Sequence, residues 1–244
     1  MNETIIVEFG VEKNVKRDYG YEEKYLTFRG EPTPYKAILK NGQLVAIVSR
    51  RYKLIENERV IEVCKKIKDQ LGFDDMRVVD NFPRVHIHLI RDDSSVIVHN
   101  SVDGSFALRV DLAVPISGSY AIVRTDEIRE MYRKHIGDVT LETLPKIVSK
   151  VLEFSEHIKL AINDLQSFSI SENKDIIDGL KELLPKKYTQ TVLWAIKSRP
   201  DMNLKEIYEI VASKIWNAKG IDMRRKIRLF ERLNKLILLP IVLR

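Results

Sequence analysis

The sequence predicts an α+β protein: an N-terminal antiparallel β-sheet with one helix, followed by a C-terminal helical bundle. Three observations carry this reading. Asn-Gly and Asp-Gly turns sit between β-branched, alternating runs in the first half of the chain, which is the pattern of hairpins. From about Thr125 the apolar period changes from two to 3.6. Strand-forming and helix-forming segments are segregated along the chain rather than alternated. The expected division is a β-rich domain over 1–124, with one sheet of about six strands, and an α-helical domain over 125–244 that packs on or beside it.

Each element has its own warrant. Residues 4–9 alternate and are rich in β-branched side chains. Residues 11–31 are charged, hold Tyr19, Tyr21 and Tyr25, and show no clear period. Residues 35–40 and 44–49 flank Asn41-Gly42, and Pro32 and Pro34 mark the entry to the hairpin. Asn57 is the expected N-cap of a helix that places Val60, Ile61, Val63, Cys64, Ile67 and Leu71 on one face and stops at Gly72. Strands follow over 85–90, 96–99 and 106–114, with turns at 91–95 and at Val102-Asp103-Gly104, and residues 120–123 form a short last strand. A short helix is expected over 125–135. Thr140 caps a long one that runs to Leu165 with a broad apolar face. Further helices fall near 174–184, 187–198, 203–218 and 222–238, with Pro145, Pro185 and Pro200 at first turns or ends. Trp194 and Trp216 lie on helical apolar stripes and read as core residues.

Composition narrows the function classes. The chain has 244 residues, a formal net charge of +6 and one cysteine, and its isoelectric point is about 9.2. No apolar run approaches the roughly 20 residues that span a bilayer, and the start carries no secretory signal pattern. Cys64 sits on the apolar stripe of its helix, which fits a buried, inert thiol in a reducing, cytoplasmic compartment. Abundant Lys, Glu and Ile with scarce Cys fit a thermophilic source. The basic balance favours an anionic partner, nucleic acid above all, and no membrane. No nucleophile elbow, phosphate-binding loop, dinucleotide fingerprint or zinc-protease helix is present.

The residues with chemical potential gather in three places. The first is the region of the Asp103-Gly104 hairpin. A tight turn at Asp93-Ser94 sets His88 opposite His99, with His86 two residues away on the same face. A three-residue turn with Gly104 left-handed pairs Val98 with Leu108 and Ile97 with Arg109. Val85, Ile87, Leu89, Val96, Val98, Phe106, Leu108, Val110 and Leu112 then share a core face. Arg84, His86, His88, His99, Arg109 and Asp111 share the opposite one. Three readings of that polar face stand together: a solvated or helix-covered surface; a nucleic-acid surface with Arg84 and Arg109 on phosphates; and a metal site built from His86, His88, His99 and Asp111.

The second place is Arg50-Arg51-Tyr52-Lys53, a dense basic cluster with an aromatic among its charges. The third is the last helix, where Arg224, Arg225 and Arg228, with Lys226, Arg232 and Lys235, surround an apolar stripe. A nuclease would need clustered carboxylates to hold a divalent ion. Asp74, Asp75, Asp80, Asp92, Asp93, Asp103 and Asp111 are the candidates. Asp92-Asp93 and Asp103-Gly104 read better as turn residues, and Ser105 has no evident paired base.

Two segments resemble a known family. Residues 46–58, Ala-Ile-Val-Ser-Arg-Arg-Tyr-Lys-Leu-Ile-Glu-Asn-Glu, and residues 99–110, His-Asn-Ser-Val-Asp-Gly-Ser-Phe-Ala-Leu-Arg-Val, are similar to segments of the phage/plasmid-like family with a domain of unknown function, carried by viruses and plasmids of bacteria and archaea. A helical tail up to 204–215 extends the resemblance, which covers about 35–218. The chain departs from the family at Val102, where His is common, and at 116–119, where a Cys-Asn pair is usual. The resemblance implies a mobile-element setting and business with DNA. The leading expectation is a non-enzymatic DNA-binding protein accessory to replication, recombination or strand annealing, needing no cofactor. The alternatives are a nuclease that uses a divalent metal, and a module that binds host protein. A homo-oligomer is compatible with each.

Overall fold

The computed structural model describes residues 8–123 and 141–242. It is α+β, with two antiparallel sheets where one was expected. The first is the meander β1 (Gly10–Lys16), β2 (Tyr21–Phe28), β3 (Glu31–Lys40) and β4 (Gln43–Ser49), hydrogen-bonded in that order. Asn41 and Gly42 both have positive φ, as a two-residue turn that matches strand twist requires. Most of the strand expected over 4–9 lies outside the described residues.

The charged stretch 11–31 forms most of β1 and all of β2. Its alternation is hidden because polar side chains occupy inward positions. Glu23 is wholly buried. Its carboxylate pairs with the buried Lys36 ammonium across the β2–β3 ladder and accepts from Arg17 Nε at 2.7 Å. A buried charge is tolerated only when paired in this way.

Helix α1 (Asn57–Leu71) follows the meander. It buries Val60, Cys64 and Ile67 and closes on left-handed Gly72, as its spacing predicts. Burial pushes the Cys64 thiol up to about 12, so it is an inert core group. The N-cap is Glu56 rather than Asn57. Asn57 is instead buried, and its side chain donates to Pro83 O at 3.3 Å and accepts from Asn100 at 2.9 Å. Charges tie α1 to the meander: Lys40 pairs with Glu58, Arg59 with Asp18, and Tyr19 Oη donates to Glu62 at 2.7 Å.

The second sheet runs β5 (Asp75–Asn81), β6 (Arg84–Ile90), β7 (Ser95–Ser101), β8 (Arg109–Ile116) and β9 (Ser119–Val123), again in chain order. Strand β5 escaped the sequence because its side chains are mostly exposed and leave no period of burial. Strand β8 begins at Arg109, not at 106. Phe106 leaves the ladder because Ser101 Oγ takes its backbone: Phe106 N donates to that hydroxyl at 2.8 Å, and the hydroxyl donates to Phe106 O at 3.0 Å.

The helices are α2 (Leu144–Glu153), α3 (Ser155–Asp164), α4 (Lys174–Leu183), α5 (Lys186–Ser198), α6 (Leu204–Trp216) and α7 (Met223–Leu233), with a π-helical turn (Asn234–Leu238) and a last short turn (Leu239–Val242). The single helix expected from Thr140 to Leu165 is two. They meet at Phe154, where ψ relaxes to −11°. The helix expected over 125–135 and the Thr140 cap lie outside the described residues. Helix α6 starts at a full capping box, Asn203 with Glu206, and packs with α7 on β9. The buried Asn234 side chain donates to Ile122 O at 2.9 Å and accepts from Tyr208 Oη at 2.8 Å. No helix among the described residues is long and apolar enough to cross a membrane.

The chain forms two compact units, Met1–Leu89 with Val98–Arg109, and Ile90–Ile97 with Val110–Arg244. A single cut near 124 separates strands from helices in chain order, whereas the compact units group β9 with the helices. The first unit has a core of Tyr21, Ile38, Leu54 and Val102, flanked by Val45, Val48 and Tyr52.

Asn100 is the buried polar centre of that unit, donating to Ile55 O at 2.8 Å and to Asn57 Oδ1 at 2.9 Å. Asn100→Ala strands a half-buried carbonyl and a buried side-chain amide oxygen. It is expected to lower the unfolding free energy by about 2 kcal/mol, and the Asn57→Ala, Asn100→Ala double variant by less than the sum of the singles. Denaturant unfolding of the three variants measures both.

Candidate nucleic-acid interface

The polar sheet face named by the sequence is buried. His86 is 5% exposed, His88 8%, and His99 and Asp111 are wholly buried. Strands β6 and β7 bury successive residues, not alternate ones, which is the mark of a sheet covered on both faces. Phe106, expected among the core residues of the opposite face, lies with the histidines. Its ring stacks on His99 with centroids 5.9 Å apart and meets His86 edge-on at 5.5 Å. The two imidazoles face each other with Nδ1 atoms 2.7 Å apart, so one ring donates and the other accepts.

Arg84 and Arg109 are half-buried on the same aromatic, their guanidinium carbons 5.8 and 4.9 Å from the Phe106 centroid. Arg84 Nε also donates to Ser105 Oγ at 2.8 Å. Both cations therefore hold the hairpin loop and do not stand open to a phosphate. Asp103 is a turn residue, as its sequence predicts: it accepts from Ser105 N at 2.9 Å, and Gly104 beside it has φ +72°. Burial works to raise the Asp103 carboxyl, but hydrogen bonds from Ser105 and the charge of Arg84 hold it below the usual carboxylate range.

Among the described residues no three His, Cys, Asp or Glu side chains gather to hold a metal ion. Of the four proposed ligands, His86 and His99 meet directly, and His88 and Asp111 do not complete a site. The other candidate carboxylates are dispersed. Asp93 lies 3.5 Å from Lys159, and Asp75 pairs with Arg77.

The cluster at 50–53 is split. Arg50 is bound inside the first unit, donating to Glu12 at 2.6 Å and to Leu26 O at 3.1 Å, and resting over the Tyr25 ring at 5.5 Å. Tyr52 turns inward and donates to Ser101 O at 2.7 Å, and burial pushes its hydroxyl up to about 12. Arg51 and Lys53 are exposed.

The third place differs. Helix α7 buries Ile227, Leu229, Phe230 and Leu233 and leaves Arg224, Arg225, Arg228 and Arg232 exposed. Asp222 caps the helix by accepting from Arg225 N at 2.7 Å. The α4–α5 corner, Glu182 to Pro185, faces these arginines across an open groove of about 650 Å³. Arg232 Nη2 donates to Glu182 O at 3.3 Å and closes one side. Arg224, Arg228 and Arg232 follow each other at i, i+4, i+8, so they form one row along the helix. Arg232 and the opposing corner complete the groove. The spacing of Arg232 was legible in the sequence; the corner was not, because only packing of α4 against α7 brings it there.

Comparison with known protein families, curated proteins and solved structures finds no match.

The buried histidines have a measurable consequence. Burial and the nearby Arg77 charge hold His88 down at about 4 from 6.5. The native protein keeps this ring neutral while the unfolded chain takes up a proton as pH falls below 6.5. Its contribution to stability is complete above pH 6.5 and is lost between there and pH 4, about 2 kcal/mol of it by pH 5. Between pH 7 and pH 5 the wild type is expected to lose about that much more unfolding free energy than His88→Gln, measured by urea unfolding. Equal losses would exclude the assignment.

Proposed function

We propose that this chain is a non-enzymatic nucleic-acid-binding protein of a virus or plasmid, accessory to replication, recombination or strand annealing, and that it grips phosphates in the α7 arginine groove. The observation that carries this reading is the row of exposed arginines lining one open groove. Guanidinium groups bind phosphate oxygens in pairs, and a row of them on a rigid helix tracks a backbone without reading bases. Four arginines line the groove against the carboxylates of Glu182 and Asp222, so its lining carries a net positive charge. The net charge of +6 aids approach of a polyanion. The resemblance of residues 46–58 and 99–110 to the phage/plasmid-like family supports the mobile-element setting. Arg50, Tyr52 and Asn100 of those segments make contacts within the first unit, and the proposed contact surface lies elsewhere.

Fluorescence anisotropy with labelled DNA over a range of salt tests the reading. Wild-type affinity is expected to fall steeply as salt rises, since each phosphate contact adds about 0.7–0.9 to the slope. The triple variant Arg224→Ala, Arg225→Ala, Arg228→Ala is expected to bind at least about tenfold more weakly at low salt, with a slope smaller by about 2–3. Absence of wild-type binding at low salt, or a triple variant that binds like wild type, would overturn it.

A further inference from the structure

Trp194 stands out on the helical unit. It is 71% exposed, whereas its place in an apolar-looking stretch predicts a core residue. Helix α5 buries Thr189, Val192 and Ile196. Trp194 lies two residues from each of the last two, on the opposite face. Lys187, Thr191, Lys197 and Ser198 share that outer side and are exposed. The helix holds three lysines and no acidic residue. Its first residue follows Pro185, which lines the arginine groove. Nine residues of helical rise set Trp194 about 13 Å along the axis from that end.

We infer that the ligand is single-stranded nucleic acid, with an unpaired base stacked on the Trp194 indole while the backbone runs along the lysines of α5 towards the arginine groove. The inference rests on the proposed nucleic-acid function and names its substrate class. An exposed indole on a cationic helix face offers a planar surface that any base can cover, and the flanking charges meet the phosphates on either side. In a duplex the base faces are already stacked on each other and cannot reach such a surface. On the outer side of the helix the indole is flanked by Gln190, Thr191, Lys197 and Ser198, all exposed. The core of a protein–protein interface is depleted of charge, so these polar and cationic surroundings favour the charged strand.

Tryptophan emission of the full-length chain reads the contact directly. The only other tryptophan, Trp216, is half-buried with its ring 5.2 Å from Tyr120. An oligothymidylate of about 12 nucleotides is expected to quench the emission, and Trp194→Phe to remove most of that quench while retaining most of the affinity. Trp194→Ala is expected to weaken single-strand binding by about tenfold or more and to leave binding to a duplex of the same length unchanged. The side chain is exposed, so its removal leaves the core intact. If Trp194→Ala binds the oligonucleotide like wild type while the triple arginine variant does not, stacking is refuted and the groove stands. If the wild type prefers duplex, the substrate class is wrong. If it binds neither, both readings fall.

Discussion

The side chain of Asn100 is the interaction on which the first unit depends. Its amide holds the carbonyl of Ile55 and the side chain of Asn57, and so joins strand β7 to the start of helix α1. Asn57 in turn donates to Pro83 O, which also accepts from Val102 N at 3.0 Å. Tyr52 completes the arrangement by donating to Ser101 O beside Asn100. Each group is buried or half-buried, so each bond is made away from competing water, and loss of any one leaves a polar atom stranded. The hydrophobic cluster of Tyr21, Ile38, Leu54 and Val102 has the half-buried Tyr52 ring packed against it, which joins it to these bonds.

This explains the Asn-Ser-Val-Asp-Gly-Ser run in physical terms. Asn100 bonds to the α1 junction, Ser101 replaces a rung of the ladder at Phe106, Asp103 and Gly104 turn the chain, and Ser105 receives Arg84. Every polar member has a local structural task. The Arg-Tyr-Lys segment is divided between tasks, with Tyr52 in the network and Arg50 anchored on Tyr25 and Glu12. Most polar groups of the two most recognisable stretches thus have structural partners, Arg51 and Lys53 stay exposed, and the arginine-lined groove lies in the helical unit.

The fold was largely legible in the sequence where burial follows one face of an element. The Asn41-Gly42 hairpin, the stripe of α1 and the change to helical period all obey that rule. It fails in three ways. Strands β2 and β3 bury an ion pair, so Glu23 and Lys36 look like surface residues. Strands β6 and β7 are buried on both sides, so His86, His88 and His99 look like an exposed polar face. Trp194 is exposed among apolar neighbours in sequence, although the i, i+4 spacing of Val192 and Ile196 already assigns the inner face to them. At the candidate site, the spacing of the arginines on α7 was visible. The groove they line depends on the α4–α5 corner and needed the tertiary structure.

The proposed division of labour gives residues 98–109 to the packing of the first unit and helices α5 and α7 to the ligand. Hydrogen–deuterium exchange of the full chain, with and without a saturating single-stranded oligonucleotide at low salt, tests it most directly. The account predicts slow exchange over residues 84–101 in both states, and added protection confined to peptides from 182–198 and 222–233 when the oligonucleotide binds. Protection that appears instead over the hairpin at 99–110, with α5 and α7 unchanged, would contradict it.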